Sequence, residues 1–432
     1  MKRVVAVVAL AASLGAAPAA APSQRYPAAS ATALGSLRYL AENDADAAVS
    51  GVQIFIAAGL DREAPQQNGV SALVAESLLR TPIDGEPLRE AIAGAGGSLN
   101  YTVDGRSVHY YLEGRSERLA ALVRIFGRAL AAPDFSSATV AAGRAALTAR
   151  LAEFEGSPLS VGIQMFRRSY YTGGAGQPAL GNATTLAGLG GADLTAFYRA
   201  NYLRSAVTAS AVGRIGSELG TALEGVADGL APGAPAAVAE KARSIPAEAP
   251  RIVAHRDVGA PWVVVGFAAP SPNSRDFGAM LVLESLLSSA FERSSATTPG
   301  LAQRSVGAFY LYESSPASVV VYVNGQQIDP SLALREVLAV SKTLALKPLG
   351  APALARFKTS AEGQFLTDSV DLSDRAYLLG TFASQGLGDD AINAALVALE
   401  KTTPADVQRV AKSYLQRYIV ALVLPRGGSG GR

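Results

Sequence analysis

Apolar residues along the chain recur with two different periods. Runs rich in β-branched residues, WVVVGF (262–267) and YIVALVL (418–424), have the length and make-up of buried strands. SVHYYLE (107–113) alternates, which predicts a strand with Val108, Tyr110 and Leu112 on one face. SERLAALVRIFGRAL (116–130) instead spaces Leu119, Leu122, Val123 and Phe126 as one face of a helix. Strand, helix, strand pair, long helices and a closing strand follow in that order. The fold class this predicts is α+β, with a sheet under a layer of helices.

The order then repeats. GVQIFIAAG (51–59) matches WVVVGFAAP (262–270) at an offset of 211 residues. ALVAESLL (72–79) matches MLVLESLL (280–287) at 208, and NYLRSAVTASAVG (201–213) matches SYLQRYIVALVLP (413–425) at 212. Three matches in one order at nearly one period imply a duplicated domain. The Pro- and Ala-rich stretch between the copies reads as a linker. We therefore expect domains at 31–230 and 251–426, joined by 231–250 and followed by a short tail at 427–432.

The stretch NGVSALVAESLL (68–79) carries the first chemical clue. It resembles the zinc helix of the M16 (pitrilysin and insulinase) metallopeptidases, whose H-x-x-E-H motif supplies two zinc ligands and a general base. Aligned on Gly69, Ala72 and Glu76 fall at the two His positions and Ala75 at the Glu. The segment 92–114 resembles the family's helix end, Gly-Gly turn and strand, and 119–137 the helix after it. The segment 141–160 is similar to the helix that gives the third zinc ligand, and Arg150 stands at that position. The likeness spans roughly 34–424. It implies two α/β halves that form half of a clamshell chamber, with the metal site erased and no cofactor in this chain.

The family's second half often carries an Arg and a Tyr that grip substrate, in a pattern like R-x-x-x-G-L-A-Y. Gly307-Ala308-Phe309-Tyr310 resembles its end. The resemblance makes Tyr310 a candidate substrate contact, with Arg304 one residue out of register. SSAFERSSATTPG (288–300) reads as a loop beside them.

Other chemistry is poorly served. The chain has two His, His109 and His255, and no Cys. A replacement metal site would have to join Glu76 to His109, Glu153 or Glu155, at no recognisable ligand spacing. The plainer expectation is His109 on a strand surface, His255 in a loop and Glu76 capped or solvated. No G-x-S-x-G elbow is present, and the Gly-rich 173–181 lacks the Lys-Ser/Thr of a phosphate loop.

The N-terminus has Lys2 and Arg3, an apolar run and Ala17-Pro18-Ala19, the pattern of a signal peptide over 1–21. It implies export, to a bacterial periplasm. The apolar run falls short of the roughly 20 residues that span a bilayer, so no membrane span is expected. Without Lys2 and Arg3 the 38 basic residues become 36, equal to the 36 acidic ones, and a neutral chain gives no case for nucleic acid.

The resemblance implies a non-catalytic subunit that closes one peptide chamber with a zinc-bearing homologue. The alternative is a stand-alone peptide-binding or envelope scaffold protein. An independent peptidase using Glu76, Glu153 and His109 is the third reading.

Overall fold

A computed structural model describes residues 29–34, 37–238, 241–296, 304–312, 316–326 and 328–426. The expected signal peptide and the tail at 427–432 lie outside the described residues.

The first half contains strands β1 (Ser30–Leu34), β2 (Leu37–Asn43) and β3 (Val49–Ile56), then helix α1 (Val70–Leu78). A small hairpin, β4 (Pro82–Ile83) and β5 (Glu86–Pro87), leads to α2 (Leu88–Gly94), β6 (Gly97–Val103) and β7 (Val108–Arg115). Helices α3 (Leu119–Ala131), α4 (Ser137–Glu155), α5 (Pro158–Tyr170), α6 (Ala183–Gly188) and α7 (Gly191–Asn201) follow, then β8 (Val207–Gly213) and α8 (Ser217–Asp228). The second half runs β9 (Arg251–Arg256), β10 (Trp262–Ala268), α9 (Phe277–Ala296), β11 (Ser305–Leu311) and β12 (Ser318–Asn324). It ends with α10 (Pro330–Leu346), α11 (Ala351–Thr367), α12 (Leu372–Ser384), α13 (Ala391–Lys401), α14 (Pro404–Tyr414) and β13 (Tyr418–Pro425).

The duplication is explicit in the topology. One sheet has the order β1-β2-β8-β3-β7-β6 and the other β11-β12-β10-β13-β9. Reversed, the second order reproduces the first without β1. In each sheet one pair is parallel, β2 with β8 and β9 with β13, and the other pairs are antiparallel.

One face of each sheet packs on helices of its own half, giving two separate cores. The opposite face is covered by a helix from the other half. Helix α5 crosses β10 and β13, while α12 crosses β3 and β8. Phe166 of α5 and Phe55 of β3 are fully buried by this exchange.

Two glycines make the crossings close. A Cβ on Gly266 of β10 would stand 2.2 Å from the Phe166 ring, and one on Gly380 of α12 would stand 2.0 Å from the Phe55 ring. The ring comes from the helix in one crossing and from the sheet in the other. Polar contacts seal the exchange. Arg375 Nε of α12 meets Glu42 Oε2 of β2 at 2.8 Å with both side chains buried or nearly so, and Ser210 Oγ donates to the Ala376 carbonyl at 2.6 Å.

Four expectations change. His109 is buried, because α12 covers the face of β7 that alternation left to solvent; Tyr111 is buried with it. His255 lies in strand β9, paired with Leu424 of β13. Glu76 is buried. Residues 288–296 continue α9; Ser and Ala tolerate a helix, and the first strong breaker is Pro299. Residues 297–300 lie outside the described residues.

Candidate functional site

Helix α1 is buried on every side, Val70 through Leu78. It is pinned at its start by a carboxylate from outside the helix. Glu63 accepts from the backbone N–H groups of Gly69 (2.9 Å) and Ser71 (3.0 Å) and from Asn68 Nδ2 (2.7 Å). These satisfy donors that a helix start leaves open. Burial raises the Glu63 pKa, against the pull of those hydrogen bonds. Gly69 has φ +96 and abuts Gly181, where a Cβ would come within 2.9 Å of backbone. Glycine is therefore required there, and the Gly-rich 173–181 segment serves as a brace for α1.

Helix α4 crosses α1 closely at Gly143, where a Cβ would be 3.2 Å from Ser77 Oγ. The crossing brings Arg150 to Glu76, with Nη1 3.6 Å from Oε2. Tyr101 of β6 donates its O–H to the same Oε2 at 2.7 Å. Arg80, one helical turn beyond Glu76, donates Nη1 to Oε1 and, at 2.9 Å, to the Glu76 carbonyl. The Arg150 guanidinium lies 4.9 Å above the Tyr101 ring, a cation–π geometry. Burial and then the Glu76 charge push the Tyr101 pKa well up, so the phenol keeps its proton and stays a donor.

The four aligned positions thus meet different fates. Glu76 and Arg150 come together, while Ala72 and Ala75 are fully buried methyl groups in the core. Zinc requires lone-pair donors. Two Ala offer none, Arg150 brings a fixed positive charge, and both Glu76 oxygens are already engaged. The residues do not fit the metal. Among the described residues no three His, Asp or Glu side chains converge as a ligand set. His109 is on the opposite face of the sheet from α1, in a three-ring cluster with Phe55 (5.2 Å) and Tyr377 (4.9 Å). Glu153 and Glu155 are exposed at the end of α4. Sequence reasoning missed Arg80, spaced i, i+4 from Glu76, and Tyr101, which only the α1–β6 packing reveals.

The second half repeats part of this arrangement. Glu284 of α9 corresponds to Glu76, and its Oε1 accepts from the Tyr310 backbone N–H at 2.7 Å. Tyr310 itself is buried, and its O–H donates to the Pro270 carbonyl. Burial, then Glu284, holds its pKa well above the usual tyrosine value. The ring borders a cavity of about 360 Å³ together with Glu284, Phe309 and Tyr377. Arg304 stands elsewhere, lining a cleft of about 760 Å³ with Trp262, Ser305 and Asn324. Tyr310 points to the helical side of the sheet, so the two candidates do not meet and the Tyr310 hydroxyl is turned into the protein.

The comparisons agree with this geometry. Residues 38–181, which contain α1, β6 and α4, match the model of the insulinase family, peptidase family M16. This third of the chain resembles an M16 peptidase domain. The fold of the chain extends that match to nearly the full length. A crystal structure of an inactive M16 peptidase domain from Pseudomonas fluorescens superposes with TM-score 0.80 at 14% identity, covering 93% of this chain and 100% of that one. A protease from Helicobacter pylori gives 0.79 at 16%, covering 93% and 100%. An M16-like peptidase from Alicyclobacillus acidocaldarius gives 0.75 at 15%, covering 94% and 100%. No curated protein matches the chain. Among the described residues no single helix is long and apolar enough to cross a membrane.

Proposed function

We propose that this chain is a non-catalytic subunit of an exported M16 peptidase. It supplies one half of a peptide-binding chamber, and a zinc-bearing homologue in the same compartment, the bacterial periplasm, supplies the other half and the chemistry. One observation carries the reading. On α1 and α4, the residues that the resemblance aligns with the zinc ligands form the Glu76–Arg150 contact instead, with Tyr101 and Arg80 completing the shell around Glu76. With Ala75 at the general-base position, no side chain there could generate a hydroxide. The retained scaffold is then useful as a wall and a binding surface.

The test is peptide hydrolysis by the purified chain, alone and mixed with the zinc-bearing homologue of the same genome, with bound zinc measured in each. The expected result is an inert chain that forms a one-to-one complex and raises the partner's activity. A partner fully active alone that never binds this chain would refute the subunit role, leaving a stand-alone binding or scaffold protein.

A further inference from the structure

The Glu76 centre is surrounded by more positive charge than Glu76 alone can balance. Arg150 touches Glu76 only at 3.6 Å, beyond hydrogen-bond length, and its other contact is the Tyr101 ring face. Its N–H donors therefore have no hydrogen-bond partner among the described residues, and the side chain is 41% exposed. Arg80 spends one nitrogen on Glu76 and is a quarter exposed. Arg89, at the start of α2, is exposed and close enough for its charge to act on the Tyr101 hydroxyl. Arg80 and Arg89 share the wall of a cavity of about 400 Å³ with Thr139 and Glu90. Glu90 and, on α4, Glu153 are exposed and form no ion pair among the described residues. Two guanidinium groups, Arg80 and Arg150, thus meet one buried carboxylate, and a third, Arg89, lies beside them, next to β6, the outer strand of its sheet.

We propose that this centre binds a carboxylate of a peptide, with Arg150, Arg89 and Arg80 as its donors. The proposal rests on the peptide-chamber reading and adds a ligand class to it. Guanidinium groups suit the task, since their paired donors match the two oxygens of a carboxylate. Glu76 and Tyr101 act as positioning residues. The buried carboxylate and phenol hold Arg150 flat against the ring and leave its outer edge free. The carboxylate can be an Asp or Glu side chain or a free C-terminus, because both present the same two oxygens.

The experiment passes a tryptic digest of bacterial extract over the immobilised full chain, beside the same digest after methyl esterification. Esterification removes both kinds of carboxylate charge. Retained peptides are identified and quantified by mass spectrometry. The native digest should be retained about tenfold or more better than the ester, a ratio worth one charge-assisted contact. The preference should shrink in high salt. Retained peptides without Asp or Glu would identify the C-terminus as the ligand; enrichment of internal acidic residues would identify side chains. In the double variant Arg89→Gln/Arg150→Gln the two digests should be retained alike. Equal retention by the unmodified chain overturns the proposal while leaving the peptide chamber standing, and so does a preference that survives the double variant. Retention of neither digest also overturns the proposal, while the subunit role is decided separately by binding to the zinc-bearing partner. The comparison on the unmodified chain does not depend on the variants folding.

Discussion

At Glu76, which the sequence resemblance aligns with a metal ligand, the chain keeps a carboxylate and surrounds it with donors. Each contact has a measurable consequence. Tyr101→Phe removes a hydrogen bond to a buried charged group, which costs about 1.5–3 kcal/mol; the midpoint of urea unfolding should fall accordingly, with unchanged slope. Restoring zinc is a larger step. Arg150→Glu alone adds a second carboxylate without any imidazole, and Ala72→His alone faces the Arg150 cation. No single reversion should bind zinc. The set Ala72→His, Ala75→Glu, Glu76→His and Arg150→Glu is expected to, read as metal content after dialysis. Zinc bound by Ala72→His, Ala75→Glu or Glu76→His alone, with Arg150 in place, would show that Arg150 does not exclude the metal. At this scale the four positions come from the resemblance of two stretches of sequence to the family's zinc helix and its partner helix. The partners were not legible in the sequence. Tyr101 meets Glu76 only through the packing of β6 on α1, and Tyr310 turned inward because residues 306, 308 and 310 face the helices of the second half.

Among the elements, the crossing helices α5 and α12 carry the most information about stability. Gly380→Ala would place a methyl group inside the Phe55 ring. Overpacking of this kind costs about 1–3 kcal/mol, so thermal unfolding should drop by several degrees. Phe55→Leu should recover part of the loss in the double variant. Independent, additive losses would mean that the two side chains do not compete for one space. The same crossing buries His109 beside Phe55 and Tyr377, and burial lowers its pKa while Asp104, 3.9 Å away, pulls it back up. The unfolded chain takes up its proton near the ordinary value of about 6.5, before the folded chain does. His109 therefore costs no stability above that pH and costs progressively more as pH falls from it towards the lowered folded value. Denaturant unfolding between pH 7 and pH 5 should show this decline, flattened in His109→Phe; an identical decline in the variant would move the cause to other groups. The run WVVVGF already hinted that both faces of β10 are covered, since it lacks the alternation of a strand with one wet face.

For the molecule as a whole, the duplication was readable from three offsets, but the exchange of helices was not. Local periodicity says that a helix has an apolar face and leaves open which sheet that face covers. The exchange makes the halves mutually dependent. Without α5, the second sheet would expose Val264, Val320, Ile419 and Ala421, all almost completely buried in the intact chain. Without α12, the first sheet would lose the cover of Phe55 and leave Glu42 without its Arg375 partner. Such a patch of contiguous apolar surface promotes association. A chain cut between 238 and 241 thus gives two fragments that should aggregate or stay unfolded when made separately. Made together, with a tag on one fragment only, they should copurify in equal amounts and melt in one transition close to that of the intact chain. Two fragments that each fold as soluble monomers would mean that the halves are ordinary tandem domains, with α5 and α12 merely resting on their neighbours. Failure of either alone and recovery of both together would establish the reciprocal crossing as the feature that fixes the two sheets in one arrangement.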